Sequence, residues 1–162
     1  MADLLVMGAG PYGVATAARA LERGIDTVVA GRPMGFWYDN MPRGMFLRSG
    51  PDWHLDAAGV HTFEAFLADR KISARDVDPV PIGVFLEYAA WFQREKGIAV
   101  RPDMVTSISR SGTGFGVEFE DGDSMTVESV VAATGISRFQ QLPGGCPMLR
   151  QFGNTDRDRD YA

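Results

Sequence analysis

One cysteine in 162 residues, Cys146, leaves no room for an internal disulfide or for a metal site built from several thiolates, and it suits a reducing compartment. Runs of like charge are also missing. The 16 basic residues are scattered and the net charge is −5, which argues against a nucleic-acid footprint, so no nucleic-acid partner is expected. Long apolar runs are absent too. Leu4 to Met7 is apolar, but Asp3 rather than a basic stretch precedes it and Gly8 ends it. A signal peptide and a membrane span are therefore not expected, and the cytoplasm is the expected location.

Glycine is plentiful. Nineteen glycines exceed the roughly 7% share of an average protein, so many backbone positions need a positive φ or a close approach to something. With 45% hydrophobic and 23% charged residues, the composition is that of one globular domain.

Asp3 to Met7 reads as a short buried strand, because an unbroken apolar run before a glycine cluster is typical of a parallel sheet. Pro11 suits a first helical turn, and the helix through Val14 to Arg23 stops at Gly24. Thr27 to Ala30 is the next strand. Strand, glycine loop, helix and strand within about thirty residues make a βαβ unit with a right-handed crossover. From Gly31 to Gly59 no periodicity is sustained, although Trp37, Tyr38 and Trp53 lie there; such a segment wraps a ligand or forms a functional loop. Thr62 reads as the N-cap of a short helix through Phe63, Phe66 and Leu67. Phe85, Tyr88, Ala89 and Phe92 share one helical face, so Pro81 to Lys96 should be an amphipathic helix whose aromatic stripe is core. Strands follow at 98–100, 105–110, 115–120 and 125–133, with a turn at Asp121-Gly122. The fold class expected is α/β, Rossmann-like, with a parallel sheet and a small antiparallel β-meander. Residues 1–143 would form the domain and 144–162 a poorly ordered tail.

The loop Gly8-Ala9-Gly10-Pro11-Tyr12-Gly13 carries the chemistry. Gly8 permits the tight turn, Gly10 lets the backbone approach a pyrophosphate, and Gly13 lets the helix pack against the strand. The helix start offers N–H groups and a positive dipole end to phosphates. One expected part is missing: the second strand should end in Asp or Glu to accept from the adenosine ribose, and Gly31-Arg32 stands there instead. Arg32 either meets ribose, adenine or phosphate, or is a solvated loop arginine. Arg48, Ser49, Asp52 and His54 gather in one loop, which invites an acid–base reading against the plainer one of a polar loop. No catalytic residue and no metal site is assigned.

Read together, the glycine loop, Gly31-Arg32-Pro33-Met34-Gly35-Phe36-Trp37, the stretch from Met41 to Ser49, the aromatic helix from Phe85 to Gln93 and Ala133-Thr134-Gly135 resemble a known pattern. It is that of the N-terminal part of two-dinucleotide-domain flavoproteins: the flavin-containing, N-hydroxylating and Baeyer–Villiger-type monooxygenases and related FAD-dependent oxidoreductases. The resemblance covers about residues 3 to 143. It implies FAD cradled by Gly8, Gly10, Pro11, Tyr12 and Gly13, with Gly31 and Arg32 at its adenosine end. It also implies Trp37, Met45, Leu47, Arg48 and Ser49 near the flavin ring, Val105 offering backbone to the adenine, and Thr134 and Gly135 where the chain passes the cofactor. NADPH, oxygen and an unknown small-molecule substrate are implied for the family.

The family pattern continues into a second βαβ unit that holds NADPH. Here Gly144, Gly145 and Gly153 follow no expected strand, so the chain reads as stopped before that domain. Three readings stay open: an FAD-binding oxidoreductase of monooxygenase type, a non-catalytic or truncated FAD-binding module, and an NAD(P)-binding module. The third is favoured by the absent acid at position 31 but gives the Trp37 and Met41 to Ser49 segment no role. An unfinished sheet edge would also promote a homodimer or pairing with a partner chain.

Overall fold

The structure, a computed structural model, describes residues 2–136. The expectations for Cys146, for the tail and for the domain limit at 143 lie outside those residues.

The first strand, β1 (Ala2–Met7), is central. It pairs in parallel with β2 (Thr27–Ala30) on one side and with β6 (Ser124–Ala132) on the other. Neighbours on both edges and packing on both faces explain why its sequence shows no polar alternation. Leu5 and Val6 are wholly buried. The connecting helix, α1 (Pro11–Glu22), starts with Pro11 in its first turn and buries Val14, Ala17 and Ala18. Such small residues let the helix lie close to the sheet. Gly24, at φ +74°, lets the chain leave the helix just past its cap Arg23.

The sheet has six strands in the order β3-β2-β1-β6-β5-β4, with β3 at Val100–Arg101, β4 at Val105–Ser111 and β5 at Gly114–Phe119. The antiparallel meander is not a separate sheet. β6 pairs with β5 over Ser124 to Val127 and with β1 as far as Ala132, so one long strand belongs to both halves. Among the described residues, Ser129 to Ala132 are paired on the β1 side only.

Two apolar clusters hold the layers together. Leu4 and Val6 join Val14 and Ala17 of α1 with Phe63, Phe66, Phe85, Tyr88 and Phe92. Alternation turns Leu5 the other way, where it meets Ala30, Val117, Phe119 and Val127. The aromatic face expected of 81–96 is therefore core: α4 (Ile82–Glu95) buries Phe85, Tyr88, Ala89, Trp91 and Phe92, with Pro81 and Lys96 as its caps. Thr62 caps α3 (Phe63–Asp69), its hydroxyl accepting from the Ala65 N–H at 3.0 Å.

Two expectations need correction. The strand expected at 98–100 lies at Val100–Arg101, because Ile98 is taken up by the core and its carbonyl by Gln93. The stretch from Gly31 contains a helix, α2 (Gly35–Asn40), although no periodicity marked it. Six residues with none fully buried cannot display a helical hydrophobic period, and Met34 enters at φ +50°.

Candidate functional site

Chain order sets where a ligand crevice opens. From β1 the chain runs through α1 to β2 on one side, while β6 lies on the other, so the carboxyl ends of β1 and β6 flank a topological switch point. There the Ala133 N–H donates to the Met7 carbonyl at 2.8 Å, and the Gly8 N–H to that of Ala30. Thr134 and Gly135, the latter at φ +67°, follow at once and are exposed.

Each glycine of the loop has a distinct environment. A β-carbon on Gly8 would lie 2.2 Å from the Ala133 carbonyl oxygen, and φ there is +116°. One on Gly13 would lie 1.8 Å from the Gly8 carbonyl oxygen and 3.5 Å from Val6 Cγ1. Both glycines are thus demanded by backbone packing. One on Gly10 would meet nothing within 4 Å, and its φ is an ordinary −77°. Gly10 is the N-cap of α1, and no side chain caps that helix. The helix start therefore presents its amides and dipole toward open space, an arrangement suited to a diphosphate. Tyr12, in the first turn, is 85% exposed.

The end of β2 lies beside this loop. A β-carbon on Gly31, at φ +117°, would sit 3.6 Å from Gly8 Cα, 3.8 Å from the Ala9 nitrogen and 3.8 Å from Met104 Sδ. The start of β4 is thereby brought to the tip of β2, although β4 stands at the far edge of the sheet order. Val105 follows Met104 and is half-buried. Met104 itself is a residue that sequence reasoning missed; a lone methionine in a turn carries no periodic signal. Arg32 is 56% exposed and ion-paired, its Nη1 2.5 Å from Asp39 Oδ2. Its stem lies against Gly35.

The segment after α2 folds back on α4. The Leu47 N–H donates to the Val80 carbonyl at 2.7 Å and the Ile82 N–H to Met45 at 2.9 Å, around a bridge between Phe46 and Pro81. Trp37 packs on Phe85 with ring centroids 4.8 Å apart, and Trp53 lies 6.0 Å from the same ring. Met45 and Leu47 are half-buried, whereas Arg48 and Ser49 are exposed. The acid–base reading of the 48–54 loop is not assembled: His54 Nδ1 is buried without a hydrogen-bond partner.

The buried carboxylate that follows is Asp56, which organises the loop at 56–61 and which the sequence did not single out. It is 1% exposed and accepts from the N–H groups of Ala58, Val60 and His61. Lys96 Nζ lies 3.0 Å from it and 2.6 Å from Glu22, tying the loop to the ends of α4 and α1. Burial alone would raise the Asp56 pKa, but the His61 amide, the Lys96 ammonium and the Ala58 amide together hold it well below the usual carboxylate range. Beside it the Tyr88 hydroxyl accepts from Leu55 N–H and donates to the His61 carbonyl. Burial pushes that phenol up to about 12. These groups brace the scaffold beneath the loop.

No group of three or more metal-ligating side chains gathers among the described residues, and none of their helices is long and apolar enough to cross a membrane.

The sequence matches no protein-family model and no curated protein. Solved structures do resemble it. A bacillithiol disulfide reductase from Bacillus cereus superimposes with a TM-score of 0.65 at 23% identity, over 83% of this chain and 40% of that one. A flavin-containing monooxygenase from Stenotrophomonas maltophilia gives 0.62 at 24%, over 83% and 38%. A lysine monooxygenase from Nocardia farcinica gives 0.62 at 21%, over 80% and 43%. The chain thus spans about two fifths of the length of these structures, with which it shares the fold.

Proposed function

We propose that this chain forms the FAD-binding part of an oxidoreductase related to the flavin-dependent monooxygenases and disulfide reductases whose fold it shares. The observation that carries the reading is the glycine loop at the switch point. Gly8 and Gly13 are used up by packing, while Gly10 alone faces open space at an uncapped helix start. That is where the diphosphate of a dinucleotide would lie, held by α1 amides. The adenosine would extend toward Gly31, Arg32, Met104 and Val105. The ring end would extend past Thr134 and Gly135 toward Trp37 and the 45–49 segment.

When bound, FAD would supply the electron transfer. The chain's own part is to fix the diphosphate, orient the ring and shield it from water. NADPH and oxygen as co-substrates, and an unnamed small-molecule substrate, belong to this proposal, as does a cytoplasmic setting. A second reading is an FAD-binding module without turnover of its own.

The test is to purify the chain, titrate it with FAD, and then add NADPH anaerobically. Saturable binding with bleaching of the flavin supports the oxidoreductase. Bound flavin that stays yellow supports the module, and a chain that takes up no FAD overturns both.

A further inference from the structure

A dinucleotide site of this architecture ordinarily reads its adenosine through a carboxylate at the end of the second strand, which accepts from the ribose 2′-hydroxyl. Here that position is Gly31, which has no side chain; a β-carbon there would lie 3.6 Å from Gly8 Cα, against the glycine loop. The next side chain is a cation. Arg32 is fixed at both ends: its Cβ, Cγ and Cδ each lie 3.3 Å from where a Gly35 β-carbon would stand, and Asp39 holds Nη1 at 2.5 Å. Its side chain is nevertheless more than half exposed, so a planar cation next in sequence to Gly31 stays open to solvent.

The carboxylates around the tip of β2 are engaged elsewhere. Asp39 is held by Arg32. Asp103, Asp121 and Asp123 gather on Arg101, and Glu120 accepts from the Met104 N–H. Met104, whose sulfur lies beside Gly31, is apolar and polarizable, suited to a base rather than to a hydroxyl.

We propose that Arg32, positioned by Asp39, recognises the adenosine end of the nucleotide through its planar guanidinium, and that the site binds adenine nucleotides without reading the ribose 2′-hydroxyl. This rests on the dinucleotide reading above. The two can fail separately.

The experiment is calorimetric titration of the full chain with ADP and with 2′-deoxy-ADP, alongside FAD. A carboxylate reading the hydroxyl would make the deoxy form about tenfold weaker or worse. Without one, the two dissociation constants should agree within about threefold. Arg32→Gln should weaken both nucleotides by about three- to thirtyfold, the range of a desolvated guanidinium over an aromatic face. Arg32→Lys, which keeps the charge but loses the plane, should restore little of that. Asp39→Asn should weaken both by a smaller factor and add nothing in the Arg32→Gln background. A tenfold preference for ADP, full rescue by lysine, or unchanged binding in Arg32→Gln overturns this inference while the dinucleotide site stands. Failure of ADP and FAD alike to bind removes both.

Discussion

Adding one methyl group at each glycine of the loop should separate the residues that build the fold from the one that serves the ligand. In Gly10→Ala the new carbon meets nothing within 4 Å and φ is already −77°, so no strain arises. Alanine is a poorer N-cap than glycine, which costs on the order of 1 kcal/mol or less. The stiffer unfolded chain returns about 0.4–1 kcal/mol. The two nearly cancel, and Tm should move by no more than about 2–4 °C. FAD affinity should nevertheless fall at least tenfold, about 1.4 kcal/mol, because the methyl fills the space proposed for the diphosphate. In Gly13→Ala the carbon would stand 1.8 Å from the Gly8 carbonyl oxygen, a backbone atom that no rotamer change can move. Helix and strand must part, at about 1–3 kcal/mol or more. Gly8→Ala meets the Ala133 carbonyl oxygen at 2.2 Å and adds roughly 1–3 kcal/mol of strain at φ +116°. Urea denaturation read by circular dichroism, paired with FAD titration, measures both quantities. Equal destabilisation by all three substitutions, or undiminished FAD binding by Gly10→Ala, would refute the assignment of roles.

Asp56→Ala should cost about 1–3 kcal/mol in urea denaturation, since it leaves three backbone N–H groups without their acceptor while Lys96 keeps Glu22; a loss under about 0.5 kcal/mol would show that the network is not a brace. Because the folded Asp56 pKa is depressed, its stabilisation is complete above the unfolded value of about 4 and fades as pH falls below it. Unfolding curves between pH 6 and pH 2 should show that loss blunted in Asp56→Asn, and identical acid profiles would contradict it. The β6 edge at Ser129 to Ala132, paired on one side only among the described residues, should favour association. Sedimentation at rising concentration should detect it, and Ser129→Lys should reduce it; a monomer throughout would count against an interacting edge.

The βαβ start was legible because three local signals agreed: an unbroken apolar run, glycines at fixed spacing, and a proline where a helix can begin. The α4 face was legible for a similar reason, since Phe85, Tyr88, Ala89 and Phe92 repeat at helical spacing and are all buried. Both depend on residues close in sequence. α2 was not legible, being too short to show a period and having no buried residue. Nor was Asp56, because its partners come from 58–61, from Lys96 and, through that lysine, from Glu22.

By itself the sequence determined the α/β class, the strand–glycine–helix unit and the three glycines, since each follows from short-range sterics and periodicity. Only the tertiary structure showed what confines Gly8, because its β-carbon clash depends on Ala133, some 125 positions away. It also decided that the meander shares β6 with the parallel sheet, that Met104 comes to lie beside Gly31, and that Arg32 is clamped by Asp39. Strand order and long-range contact set those positions, and neither is written in the spacing of neighbouring residues.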